Sequence, residues 1–273
     1  MPPALPMPAA LPILRTGDGT REVTFTARLQ SVEWAIQTMH AHLREALTLE
    51  DLASVACLSP AHFNRVFHRL VGVPPVEYLT ALRFQRARHL LLMTSLKITD
   101  VCFEVGYTST GSFTSRFTQR VGLSPRRLRE RAHAFEPVLG SHLQENPAQR
   151  VSIPSSPALV GMIDGPATFR GTIYVGLFRT AIPQGRPVRC TRLNAPGQYV
   201  LRDIVDGVYY LRAAAFPLAG DQLASLLPAD KLLLGNNHGP LVIHHGQVLG
   251  EPNLVLHPPT LCDPPLVMGL PLL

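Results

Sequence analysis

The sequence predicts a two-domain protein, α followed by β: an all-α domain built on two helix-turn-helix units, then an antiparallel β-sandwich. Three observations predict it. Apolar residues step by three and four from Leu29 through Val32, Ile36, Met39 and Leu43, and the same period continues to about Ala132, the mark of one buried face on amphipathic helices. Sliding this block against itself by fifty residues, without a gap, sets Phe63 on Phe113, Phe67 on Phe117, Gly72 on Gly122 and Pro75 on Pro125. Beyond Gly161 short β-branched and aromatic runs recur between Gly and Pro signals, as in a sandwich of antiparallel strands.

With 273 residues and 46% apolar content, the chain has room for two ordinary cores. Residues 1–27 are expected to be a flexible arm, because Met1 to Thr20 is rich in Pro, Ala and Gly and offers little contiguous apolar surface. It lacks the basic n-region and unbroken apolar h-region of a signal peptide. No uninterrupted apolar stretch approaches the roughly 20 residues that span a bilayer, so a soluble, cytoplasmic protein without membrane contact is expected.

The helical domain is placed at 28–134. Within it Thr48 precedes a helical run with Asp51 three residues on, a weak form of the capping box, and Gly72 with Pro74 and Pro75 ends the next helix pair. A helix over Val76 to Met93 turns Leu79, Leu82, Ala87, Leu90 and Leu91 inward, with Arg83, Arg86 and Arg88 extending toward or along its surface, and acts as a strut. Residues 135–160 read as a linker, since Pro137 to Pro157 has turn punctuation without period. The second domain, 161–273, has strand signals at Thr172 to Phe178, Gln198 to Ile204, Val208 to Ala214, Leu241 to His245 and Asn253 to His257.

The duplicated block has helix-turn-helix order. A tight turn, Cys57-Leu58-Ser59 in one unit and Tyr107-Thr108-Ser109 in the other, separates a short helix from one with an outward polar face. Ala56 and Gly106 are small enough for close packing there. Phe63 with Phe67, and Phe113 with Phe117, lie four apart and anchor one face of each second helix, which leaves the opposite face free to enter a groove. Arg28 to Ala132 carries fourteen Lys and Arg against eight Asp and Glu, whereas the rest of the chain is near neutral, so the basic surplus that attracts phosphate is local. Two hairpins that merely pack a bundle are disfavoured by charge, punctuation and duplication taken together.

The stretch from Leu47 to Arg131 resembles the AraC/XylS family of bacterial transcription regulators, through LEDLASVACLSPAHFNRVFHRLVGVPPVEYL in the first unit and ITDVCFEVGYTSTGSFTSRFTQRVGLSPRRLRER in the second. The resemblance implies about seven helices and sequence-specific binding of double-stranded DNA, with two recognition helices roughly 34 Å apart entering successive major grooves. It also implies base-facing positions at Ala61, Asn64 and Arg65 of the first unit and at Gly111, Ser112 and Ser115 of the second, with His62, Thr114 and Arg116 completing the expected DNA-binding set. Arg65 can donate to guanine O6 and N7, and Asn64 can pair with adenine, so the first helix is expected to carry more direct readout. Where many relatives have Arg, this chain has Ser115, and Thr114 and Arg116 are expected to contact phosphates instead. Arg126, Arg127, Arg129 and Arg131 either add backbone contacts or are merely solvated. RNA polymerase is an expected partner if the protein activates transcription.

In the second domain RGTIYVGLF, PGQYVLRDIVDGVYYLRAAAF and GPLVIHHGQVLGEPNLVLHPP resemble the transthyretin-like β-sandwich of carboxypeptidase regulatory domains, which suggests a sensor of a small-molecule effector or an interaction module. Asp206 and Gly207 are assigned a folding role in a turn. The cluster His238, His244, His245 and His257 does not read as a metal site, because adjacent strand residues such as His244 and His245 point to opposite faces. The four cysteines, Cys57, Cys102, Cys190 and Cys262, have no zinc-site spacing and are read as reduced, mostly buried thiols. No cofactor is expected. There is no G-x-S-x-G elbow, P-loop, H-E-x-x-H or C-x-x-C, and none of the cysteines has the Pro-Cys-His-Arg setting of a DNA-repair methyl acceptor, so no enzyme is expected. The alternative is a β-sandwich ligand-binding, carbohydrate-binding or interaction module with secondary DNA binding.

Overall fold

The computed structural model describes residues 20–133, 158–217, 232–237 and 239–268. Residues 1–19 of the expected arm, most of the expected linker and His238 of the histidine cluster lie outside them.

Seven helices stand among the described residues: α1 (Thr20–Ala41), α2 (Leu49–Val55), α3 (Pro60–Val71), α4 (Pro75–Met93), α5 (Ile98–Glu104), α6 (Thr110–Val121) and α7 (Pro125–His133). Helix α1 starts at Thr20, within the stretch read as arm. The capping box at Thr48 is formed: the Thr48 hydroxyl accepts from the Asp51 amide at 3.2 Å and the Asp51 carboxylate accepts from the Thr48 amide at 2.9 Å. Helices α3 and α6 both stop on a glycine in the left-handed region, Gly72 at φ 82° and Gly122 at φ 90°, a conformation that costs a residue with a Cβ. A proline then opens the next helix in each unit, Pro75 in α4 and Pro125 in α7, where its missing N–H is no loss.

The repeat holds in the packing. Phe63, Phe67, Phe113 and Phe117 are fully buried, and ring centroids are 5.5 Å apart within each pair. Phe84 of α4 lies 6.2 Å from Phe113 and 6.0 Å from Phe117, while Tyr78, nearer the start of the same helix, packs at 5.5 Å on Phe67. Helix α4 thus carries an aromatic contact for each unit. Arg83 ties the strut to the end of α1, donating to the carbonyls of Leu43 at 3.1 Å and Glu45 at 2.6 Å. Arg129 of α7 donates to those of Leu91 at 3.1 Å and Leu96 at 2.8 Å. Of these carbonyls Leu91 lies in the last turn of α4, where the helix offers no amide to it, and the others lie in the segments that follow α1 and α4.

The second half contains β1 (Leu159–Asp164), β2 (Gly171–Phe178), β3 (Arg189–Leu193), β4 (Gly197–Leu201), β5 (Gly207–Pro217), β6 (Leu233–Asn236), β7 (Leu241–His244), β8 (Gln247–Leu249) and β9 (Leu254–Val255). They form a three-stranded sheet, β4-β1-β9, and a six-stranded sheet, β3-β2-β5-β7-β8 with β6 also on β5. Every named pair is antiparallel except β1 with β9, which runs parallel. Leu159, Ile163, Tyr199 and Leu254 of the small sheet share one core with Ile173, Val175, Leu211 and Ala213 of the large one.

The large sheet is covered on its other face too, which explains why Leu211 to Phe216 of β5 is buried without alternation. There Arg212, with its guanidinium 5.6 Å from the Tyr210 ring centroid, grips the carbonyl of Ala181 through Nε at 3.1 Å and Nη2 at 2.9 Å. Ala181 and Ile182, in the loop between β2 and β3, and Val267 belong to the core of the helical half. The two halves are also linked by hydrogen bonds: the Tyr78 hydroxyl donates to the Leu261 carbonyl at 2.7 Å, Arg88 donates to the Met268 carbonyl, and Arg120 Nη1 donates to Gln184 Oε1 at 2.8 Å.

Three expectations are corrected here. Arg88 does not run along the surface of the strut; it is 1% exposed, and burial brings its pKa down to about 10. His244 and His245 do not point to opposite faces. His245 sits at φ 49° and Gly246 at φ 75° in the tight turn between β7 and β8, so the strand has already ended and the two rings meet at a tilt of 51°, their centroids 4.1 Å apart. Of the cysteines, all free, Cys102 is buried but Cys57 and Cys190 are exposed.

Candidate nucleic-acid interface

Each recognition helix is seated by its aromatic pair and presents its far side to solvent. On α3, Phe63, Val66, Phe67 and Val71 point inward, and Ala61, Asn64 and Arg65 are exposed with His62 half-buried. On α6, Phe113, Phe117 and Val121 point inward, and Gly111, Ser112, Ser115 and Arg116 are exposed with Thr114 half-buried. Ala61, Asn64 and Arg65 of α3 and Gly111, Ser112 and Ser115 of α6 therefore lie away from the core, while the half-buried His62 and Thr114, and Arg116 beside Tyr107, stand on the flanks.

The two faces differ in chemistry. The outer side of α3 continues past Asn64 and Arg65 to His68 and Arg69, both exposed and one turn further on. The i, i+4 spacing of Arg65 and Arg69 could have identified this extension. The outer side of α6 is rich in hydroxyls: Thr110, Gly111, Thr114, Ser115, Thr118 and Gln119 line a shallow, solvent-open hollow. Gln119 went unnoticed in the sequence, although it lies one turn beyond Ser115. Arg116 lies beside the Tyr107 hydroxyl, whose pKa is raised by burial and held back by that guanidinium.

The turns that position these helices are not identical. The second unit puts the left-handed residue at Gly106, φ 79°, and the first puts it one place later, at Cys57, φ 55°. Gly106 packs so closely on the end of α1 that a Cβ there would stand 2.8 Å from the Leu43 carbonyl oxygen and 2.9 Å from that of Arg44. Ser109 caps α6 by accepting from the Ser112 amide at 3.4 Å, while α3 has Pro60 at its start and no side-chain cap.

Of the terminal arginines, Arg129 is a structural tie, and Arg126 is paired with Glu130 at 2.7 Å in solvent, a contact worth little. Among the described residues no group of three or more His, Cys, Asp or Glu is placed to hold a metal ion. Asp206 does not open a hairpin turn of its own, since Gly207 already begins β5; it braces the β7–β8 turn, its carboxylate accepting from the His245 amide at 2.8 Å and lying 3.4 Å from His244 Nδ1. The amide contact is the main reason its pKa is lowered.

Two short helices, each followed across a tight turn by an aromatic-anchored helix with a free polar face, define a double helix-turn-helix domain. Residues 52–131 match the protein family described as "Helix-turn-helix domain". Over 100 residues it is 34% identical to the uncharacterized HTH-type transcriptional regulator YobQ of Bacillus subtilis, covering 36% of this chain and 42% of that protein. Over 102 residues it is 35% identical to the RCS-specific HTH-type transcriptional activator RclR of Escherichia coli, covering 37% of this chain and 36% of that one. The chain thus spans less than half the length of these relatives. A solved transcriptional regulator with an AraC-type DNA-binding domain, from Chromobacterium violaceum, is 28% identical over 39% of this chain and 96% of its own, with a TM-score of 0.37.

Proposed function

We propose that this chain is a sequence-specific DNA-binding transcription regulator that inserts α3 and α6 into successive major grooves of double-stranded DNA. The observation that carries the proposal is the repeated seating of the two helices: equivalent phenylalanine pairs bury one face of each, a single strut contacts both, and the opposite faces are free. In this reading Arg65 and Asn64 read bases directly, Ala61, Gly111, Ser112 and Ser115 allow close approach to the groove floor, and His62, Thr114 and Arg116 fix register through phosphates. RNA polymerase is the further partner if the protein activates.

The division of labour is part of the same proposal: an arm over 1–27, a DNA-binding domain over 28–134, a linker over 135–160, and a sensing or interaction domain over 161–273. The role is regulatory rather than catalytic and its place is the cytoplasm. Both relatives named above carry regulator names, and no described helix is long and apolar enough to cross a membrane. Selection from a random duplex library by the full chain at near-physiological salt tests the proposal. Enrichment of two short motifs about ten base pairs apart is expected. Salt-sensitive binding without a motif, or no binding, would overturn it.

A further inference from the structure

The near-neutral total of the second half hides an uneven distribution. Between Gln184 and Arg202 the sequence has four arginines, Arg186, Arg189, Arg192 and Arg202, and no Asp or Glu. All four are exposed, and none is paired with a carboxylate among the described residues. Arg189 is oriented by the backbone around it, its Nε donating to the Arg202 carbonyl at 3.0 Å and its Nη1 to the Val188 carbonyl at 2.8 Å, with Nη2 left for a partner outside the chain. An exposed cluster of one sign draws a polyanion to it.

The position of the first member gives the cluster a direction. The loop between β2 and β3 docks on the end of α6: the Gly185 amide donates to the Arg120 carbonyl at 2.5 Å, Gln184 Oε1 accepts from Arg120 Nη1 at 2.8 Å, and a Cβ on Gly185 would stand 3.2 Å from the Gln119 carbonyl oxygen. Gln119 also lines the outer hollow of α6. Arg186 comes next in the chain, its Cα about 3.8 Å from that of Gly185, so the β half delivers a cation beside the groove-facing helix. The loop is braced from within. Arg212 holds the Ala181 carbonyl, Ile182 is fully buried, and Gln184 Nε2 donates to the Thr180 hydroxyl at 3.4 Å. A backbone held this way has little freedom to lose on binding.

The second unit is short of cations of its own. The outer side of α3 carries Arg65 and Arg69, whereas that of α6 is lined by hydroxyls, with Arg116 beside Tyr107 and Arg120 engaged by Gln184. A helix in the major groove stands between two walls of phosphate, and contacts to those walls set register and much of the affinity.

We propose that the β half is part of the DNA-binding surface: Arg186 and Arg189 contact phosphates beside the groove entered by α6, supplying the charge that the second recognition helix lacks. This inference rests on the DNA-binding proposal and adds to it a contact from outside the helix-turn-helix units.

The test measures the affinity of the full chain for a selected duplex over a range of salt. Arg186 has no hydrogen bond or ion pair among the described residues, so Arg186→Gln leaves the fold alone. The slope of log affinity against log salt should flatten by about 0.9 in Arg186→Gln and by about 1.8 when Arg189→Gln is added, with the selected motif unchanged, and Arg186→Lys should restore the parent slope. Arg170→Gln is the control. Arg170 is also exposed but stands just before β2, at the end of that strand away from the docked loop, about 25 Å off along the strand, and its slope should equal the parent's. Ethylation interference should reveal two phosphates beside one half-motif that the parent needs and the double variant does not. Parent-like slopes in Arg186→Gln and the double variant, or an equal flattening in Arg170→Gln, overturn the inference and leave the DNA-binding proposal standing. A parent chain that selects no motif and binds no duplex overturns that proposal, and this inference with it.

Discussion

Replacing Gly106 by Ala should damage the second helix-turn-helix unit far more than the same change at Gly72, although the two glycines have nearly the same backbone. Their φ values are 79° and 82°, and each Ala would bear the strain of the left-handed region, about 1 to 2 kcal/mol. The surroundings differ. A Cβ at Gly72 has nothing within 4 Å, whereas one at Gly106 would lie 2.8 and 2.9 Å from the carbonyl oxygens of Leu43 and Arg44. Those oxygens are backbone, and Arg83 already holds the Leu43 carbonyl, so they cannot turn aside as a side-chain tip could. Crowding of that kind adds about 1 to 3 kcal/mol. The expected losses are therefore roughly 2 to 5 kcal/mol at Gly106 and about 1 to 2 kcal/mol at Gly72. Urea denaturation followed by helical circular dichroism reads both. Thermal midpoints should fall by on the order of 10 °C and 4 °C. Equal losses at the two sites would refute the reasoning, because they would mean that α5 and α6 do not press on the end of α1.

Arg65→Ala should relax base preference at one position of the selected site and cost about 1 to 3 kcal/mol there; an unchanged selected motif would show that Arg65 does not read a base. Thr48→Ala should cost about 0.5 to 2 kcal/mol by removing the cap of α2. The Thr48 contacts hold the pKa of Asp51 below its ordinary 3.8, so the stability this carboxylate adds is present above 3.8 and lost as pH falls through its lower folded value. The difference in urea midpoint between parent and Thr48→Ala should accordingly shrink in strong acid, and a difference that grows there would contradict the cap. Ile182→Ala removes a side chain of the β half that is fully buried in the helical core and should destabilise by about 2 to 5 kcal/mol; a loss below about 1 kcal/mol would mean that the loop does not dock there.

The helical half was legible because its determinants are periodic and local. Buried phenylalanines four apart, a glycine in the left-handed region after each recognition helix and a proline opening the next helix all stand at fixed offsets, and the fifty-residue repeat states each of them twice. Strands β2, β4, β5, β7 and β9 were visible as β-branched and aromatic runs. Strand β1 was not, because Leu159–Asp164 straddles the stretch read as linker, and neither were β3, broken up by Arg189 and Arg192, β6, whose Gly235 and Asn236 read as turn punctuation, and β8, which has three residues.

What the sequence hid was contact between distant segments. Nothing local marks Ile182, in a loop punctuated by proline, or Val267, near the end of the described residues, as part of the helical core. Arg88 reads as one more surface charge on the strut until Met268 is seen against it. The histidine pair was misread for a related reason: strand alternation was carried one residue too far, into a turn that begins at His245. On the candidate interface, the residues named from the family pattern lie on the exposed side of α3 and α6 except for the half-buried His62 and Thr114, and simple helical spacing extends that side to His68, Arg69 and Gln119.

If α4 holds α3 and α6 at one fixed separation, DNA affinity must depend on the spacing of the two half-motifs. With a selected duplex in hand, five and then ten base pairs would be inserted between the two half-motifs and the affinity of the full chain measured by fluorescence anisotropy at constant salt. Both insertions should lower affinity to about that of a single half-motif, since five turn the second groove away and ten move it roughly a further 34 Å along the axis. Affinity that survives either insertion would contradict a rigid two-groove reader.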